Sequence, residues 1–180
     1  MRRVPPSRVY RLLYPAVPVV MAAVYRGKVS AMPVVSMVSL SNNPAIIGIA
    51  SNPVHDTYWT ALSARQLSVS WFDDRYRAAV MALGSSSGAR MEDKLVSAGL
   101  HYDLRSEYAI PVIREASAYL ICDVTDVQRF GDHDLLVAQV KEAKAAKDFR
   151  GYWRFEGYHP ILYAGLGRGS PTEMKLVTRP

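Results

Sequence analysis

The chain has 180 residues, 49% hydrophobic and 21% charged, with a formal net charge of +6. These values exclude a disordered chain, and the length suits one domain, residues 1–180, with a core over about 14–145 and peripheral ends. The pI of about 9.5 favours anionic partners, and the positive charges read as dispersed, which favours small phosphorylated ligands over a nucleic-acid track.

Residues 1–13 form an arm of mixed arginine and apolar residues, peripheral to the core. With the apolar run behind it, the arm has the look of a secretory leader. Pro15 and Pro18 interrupt that run, and it is shorter than the roughly 20 residues a bilayer span needs. Residues 17–25 therefore read as a first buried strand of a cytoplasmic protein with no membrane association. Arg26-Gly27-Lys28 is a turn, and residues 29–40 read as one long second strand. Small and hydroxyl residues (Ser30, Ala31, Ser36, Ser39, Ser41) interrupt its hydrophobes, as if backbone and hydroxyls were held open to something. Ser41-Asn42-Asn43-Pro44 is a second turn, and residues 45–50, apolar throughout, are a buried third strand.

Thr57 is placed as the N-cap of a helix over 58–66. Residues 67–72 alternate with period two, as a strand does. Asp73 or Asp74 caps a helix over 75–83, and Gly84 stops it. A Ser-rich loop and a short helix over 91–98 follow. Strands resume near Ile113. The run 116–126 pairs with 134–144 through a turn at Phe130-Gly131. Residues 141–147, charged and alanine-rich, read as helical. Short segments follow at 152–156 and 160–164, and 165–180 reads as a poorly ordered tail. Strands, helices and strands again, with direct hairpins, indicate a mainly β antiparallel barrel with helices outside it.

Chemistry is narrowed by elimination. His55, His101, His133 and His159 show no metal-ligand spacing. Gly131-Asp132-His133-Asp134 reads as a turn rather than a metal site. Cys122, the single cysteine, sits in an apolar run as a buried structural thiol. There is no GxSxG elbow. The late Gly165-Leu166-Gly167-Arg168-Gly169 lacks dinucleotide spacing and has no room for a Rossmann unit behind it. His55 and Thr57 at a helix start offer a phosphate position, because orphan N–H groups and the helix dipole attract anions.

Against this background the motifs fall in a familiar order. They are the valine-rich first strand, the glycine turn, Ser30-Ala31-Met32-Pro33, and His55-Asp56-Thr57-Tyr58. Ser87-Gly88 follows with Asp93-Lys94-Leu95, then the strand ending at Cys122, and Gly131-Asp132-His133 before an apolar strand. From about Tyr14 to Lys141 the chain resembles the flavin reductase-like family, whose fold is an FMN-binding antiparallel split β-barrel of Greek-key type. Departures are Pro33 where a threonine is common, Asn43-Pro44-Ala45 for a double proline, about two extra residues before His55, and Leu95 for a phenylalanine.

The resemblance implies a homodimer that binds FMN, with FAD as the alternative flavin, and reduces it with NADH or NADPH. A partner oxygenase would draw on the product. It implies that Ala31, Met32, Pro33 and Val34 face the flavin ring. Ser39, Ser41, His55, Thr57 and Lys94 would hold ribityl or phosphate, with Ser36, Leu40 and Ser87 in the same binding set. His133 would sit near the ring as the catalytic residue. The flavin would carry the hydride chemistry, which fits the absence of a catalytic triad. Two other readings stay open: an FMN electron carrier or reductase with another acceptor, such as ferric iron or a partner protein, and a non-enzymatic basic barrel that binds nucleic acid, hinted at only by Trp153-Arg154-Phe155.

Overall fold

The valine and alanine run behind the arm forms β1 (Val19–Tyr25), and its alternation serves two cores at once. Val19, Met21 and Ala23 enter one; Val20 and Ala22 enter the other. A strand buried on both faces carries no polar alternation, which is why this one reads as continuously apolar. Arg26 and Gly27 both take positive φ, 50° and 79°, the geometry of a two-residue hairpin turn. β2 (Lys28–Val34) then returns along β1, with Tyr25 opposite Lys28 and Val19 opposite Val34.

A computed structural model describes residues 1–85, 93–105 and 107–165. After β2 come β3 (Met37–Asn42), β4 (Ala45–Ser51), α1 (Asp56–Ala64) and β5 (Gln66–Trp71). A short 3-10 turn (Asp74–Tyr76) leads into α2 (Arg77–Ser85), followed by α3 (Lys94–Ser97). Two short strands, β6 (Tyr102–Arg105) and β7 (Ile110–Ile113), precede the long hairpin of β8 (Ala118–Phe130) and β9 (His133–Ala145). Seven strands form one antiparallel sheet in the order β2-β1-β5-β8-β9-β4-β3, and β6 and β7 pair separately.

The architecture is mainly β and antiparallel with few helices, as expected. The barrel part of the expectation is corrected: β2 and β3 are opposite edges, and no ladder joins them. The single strand expected over 29–40 breaks at Val35-Ser36. There the Ser36 hydroxyl donates to the Ala50 carbonyl (2.5 Å) and Ala50 N–H donates to Ser36 O (3.0 Å). Those bonds turn the chain from one edge toward the other.

Three more expectations change. Helix α1 begins at Asp56 with His55 as its N-cap; Thr57 is not the cap, because its hydroxyl is bonded to Ser30 Oγ at 2.8 Å inside the protein. Gly84 does not end α2 but lies within it, and a Cβ there would come 3.1 Å from Pro33 Cγ. Close approach to β2, not helix termination, explains that glycine. Residues 141–145 are strand rather than helix, since β8 pairs with β9 as far as Ala145 and tertiary pairing overrides helix propensity.

The first core lies between the sheet and α1, which contributes Tyr58 and Ala61. The second lies under α2, α3 and the segment carrying Ile161. Asp73 caps the 3-10 turn as expected, accepting from Arg75 N–H at 3.3 Å. Cys122 is fully buried and burial pushes its thiol up to about 12, an inert structural role. Among the described residues no helix is long and apolar enough to cross a membrane.

Candidate functional site

A cavity of about 890 Å³ opens between the end of β2 and the end of β4. One wall is the end of β2 and its link to β3: Met32, Pro33, Val34, Val35 and Ser36. A second is the end of β4 and the entry to α1: Ala50, Ser51, Asn52 and His55. Asp132 and His133 come from the β8–β9 turn, and Pro6, Ser7, Tyr10, Leu13 and Tyr14 from the N-terminal arm.

The structure brings six of the expected site residues together here: Met32, Pro33, Val34, Ser36, His55 and His133. Pro33 sits on an edge strand, where a missing N–H is tolerated. Others lie elsewhere. Ala31 is fully buried and faces the second core. Ser39, Leu40 and Ser41 belong to β3 at the far edge and do not line the cavity. Thr57 is occupied by Ser30. Lys94 is buried, its Nζ donating to the Leu83 carbonyl at 3.0 Å. Ser87 lies outside the described residues.

The N-terminus of α1, capped by His55, borders the cavity. Burial holds the His55 imidazole below its ordinary 6.5, and the charges of His133 and Lys94 push it further the same way. Asp56, the first residue of α1, opposes that shift; the orphan N–H groups of the helix start are what favours an anion on this wall. His133 shares a 2.9 Å hydrogen bond between Nδ1 and Asp132 Oδ1, a loop contact that orients a ring also lining the cavity. Tyr58 donates to Asp134 Oδ2 at 2.6 Å and so ties α1 to β9; burial, then this bond, raises its pKa to about 12.

Sequence reasoning missed Ser51. It is 3% exposed, lines the cavity, and its Oγ has no hydrogen-bond partner. A buried unpaired hydroxyl costs about 1–3 kcal/mol, so a polar ligand in this cavity fits an unmet need. Its only sequence signal is a hydroxyl closing an otherwise apolar strand, just before Asn52-Pro53. Sequence reasoning also missed the arm, which it left peripheral.

The charge proves to be concentrated rather than dispersed. Residues 1–55 contain no Asp or Glu and six of the 22 Lys and Arg, leaving 16 to balance the 16 Asp and Glu elsewhere. That stretch supplies every cavity-lining residue except Asp132 and His133. Among the described residues, Asp73, Asp74 and His159 also gather within 4.8 Å. Asp73 is already bonded to Arg75 and to His159 N–H, and the cluster reads as structural.

The fold is an open antiparallel sheet with a cavity between the ends of β2 and β4. Residues 10–164 match the flavin reductase like domain, and the chain belongs to that family. It is similar to an uncharacterized protein of Aeropyrum pernix, 31% identical over 93% of this chain, and spans 64% of that relative's length. It is 30% identical to a flavin reductase of Pseudomonas putida over 68% of each chain. Among solved structures it is similar to the FMN-binding protein of Thermus thermophilus with bound p-hydroxybenzaldehyde. That match is 27% identical with a TM-score of 0.81, covering 92% of this chain and 91% of the other.

Proposed function

We propose that this chain binds FMN in the cavity between β2 and β4 and acts as an NAD(P)H-dependent flavin reductase. The observation that carries the reading is the buried, unpartnered Ser51 Oγ lining a cavity beside His55 and His133. Bound flavin would supply hydride acceptance and electron transfer. The chain's own residues bind, orient and shield. Met32 and Val34 present apolar side chains that exclude water. Ser51 Oγ hydrogen-bonds a polar edge of the ligand. His55 and the α1 N-terminus favour its phosphate. His133, with Nδ1 engaged by Asp132, keeps Nε2 for the ligand.

We extend the reading to a homodimer, in which the exposed Val38, Leu40, Val54, Trp59 and Phe130 find cover, and to an oxygenase as consumer of reduced flavin. A second reading keeps the flavin and changes the acceptor. The Thermus protein has been solved with p-hydroxybenzaldehyde and with 1-cyclohex-2-enone bound, which favours a small carbonyl compound in that place.

One preparation tests both. FMN titration followed by absorbance should saturate in the micromolar range, sedimentation should give a dimer, and NADH should be oxidised with free FMN as acceptor. Ser51→Ala should weaken FMN binding roughly 2–10-fold, one neutral hydrogen bond. His133→Ala should lower turnover. No flavin binding would overturn the function. Tight FMN retention with turnover only on enones would select the second reading.

A further inference from the structure

The arm differs from every other wall of the cavity. Pro6–Leu13 is a 3-10 helix, and at three residues per turn Ser7, Tyr10 and Leu13 share one face. Those three line the cavity. Arg8 and Arg11 share the adjoining face, and Val9 and Leu12 the third. No residue of this helix is buried, so it adds little to either core.

It is nonetheless held. Tyr10 meets Tyr14 edge-on at 6.3 Å, and Tyr14 meets Tyr163 at 5.0 Å. Ala16 N–H donates to Tyr163 O at 3.1 Å and Tyr163 N–H to Ala16 O at 2.8 Å. Gly165, at φ +85°, passes so near that a Cβ would come 2.9 Å from the Tyr14 ring. Arg11 is oriented by the wall itself: its Nε donates to Tyr10 Oη at 3.3 Å, and its Cζ lies 5.8 Å from the Tyr10 ring centroid.

Arg8 and Arg11 do not themselves line the cavity; they flank the Ser7, Tyr10 and Leu13 face that does. On the inner wall, His55 and the α1 N-terminus offer a place for one phosphate. The two arginines, on an exposed arm in a stretch free of acidic residues, have no role in that contact. The cavity's volume is near the top of the usual 300–1,000 Å³ range of small-molecule sites, which suits a second ring beside the first.

We propose that the arm is the specificity element for the second ligand: Tyr10 and Leu13 form the wall it lies against, and Arg8 and Arg11 bind its phosphates, which makes that ligand a nicotinamide dinucleotide. This rests on the flavin reductase reading. Guanidinium recognises phosphate from either source, so the test separates the dinucleotide from FMN.

The experiment compares wild type, the double variant Arg8→Gln/Arg11→Gln, and the charge-keeping Arg8→Lys/Arg11→Lys. It reads Kd for FMN and for riboflavin, kcat and KM for NADH, and the salt dependence of kcat/KM. In the Gln variant KM for NADH should rise roughly tenfold, about 1.4 kcal/mol, with kcat and the FMN Kd held. Its salt dependence should flatten, and the Lys variant should recover part of the KM. An unchanged KM overturns the proposal while leaving flavin binding intact. A weaker FMN Kd with riboflavin unaffected also overturns it, by assigning the arginines to the flavin phosphate. Failure of wild type to bind flavin, or to oxidise NADH, overturns the underlying reading and this proposal with it.

Discussion

Strands β2 and β3 are separated by two residues in the chain and lie at opposite edges of the sheet. Their compositions are alike, small residues and serines among hydrophobes. In β2, Ser30, Ala31, Met32 and Val34 are all at most 8% exposed; in β3, Val38 and Leu40 are 52% and 46% exposed. The difference comes from what covers each strand. Helix α1 packs on one face of β2 and α2 and α3 on the other, whereas β3 pairs only with β4. Similar sequence therefore yields a buried cavity wall at one edge and an exposed surface at the other.

The largest effect should come from truncating matched side chains. Met32→Ala should cost about 2–5 kcal/mol and Val38→Ala no more than about 0.5 kcal/mol, read by urea unfolding. Equal costs would mean that β3 is covered too, as in a dimer that persists through the transition. Next, the serines should differ. Thr57→Val strands the Ser30 hydroxyl and should cost about 1–3 kcal/mol. The double variant Ser30→Ala/Thr57→Val should cost less than the sum of its singles. Ser39→Ala should cost almost nothing. The smallest effect concerns Gly84. Alanine there gains up to about 1 kcal/mol of helix propensity but meets the Pro33 ring, so Gly84→Ala should be near neutral. In a Pro33→Ala background it should stabilise. Equal gains in both backgrounds would remove the β2 contact as the reason for the glycine.

How far the sequence could be read follows the same divide. β1, the Arg26-Gly27 turn, β5 and the Gly131 hairpin were legible because local signals, apolar density and turn residues, agree with the fold. The break at Val35-Ser36 was not, since it is imposed by Ser36 bonding to Ala50 across the sheet. Thr57 looked like a cap for good local reasons, yet its hydroxyl serves Ser30, 27 positions away. Ser39, Leu40 and Ser41 looked equivalent to Ser36 because a strand's two ends are indistinguishable until the edges are known. The family resemblance located the cavity through Met32, Pro33, Val34, His55 and His133. Ser51 and the arm became visible only through burial and proximity.

The pairing of the arm with Tyr163 and Gly165 bears on how the molecule is made. Residues 6–14 are synthesised well before residues 163–165, the described residues that hold them from the far end of the sequence. A nascent chain can assemble the seven-stranded sheet while the cavity still lacks the wall that the arm supplies. A segment made early is thus fixed late, once the residues that pair with it have emerged.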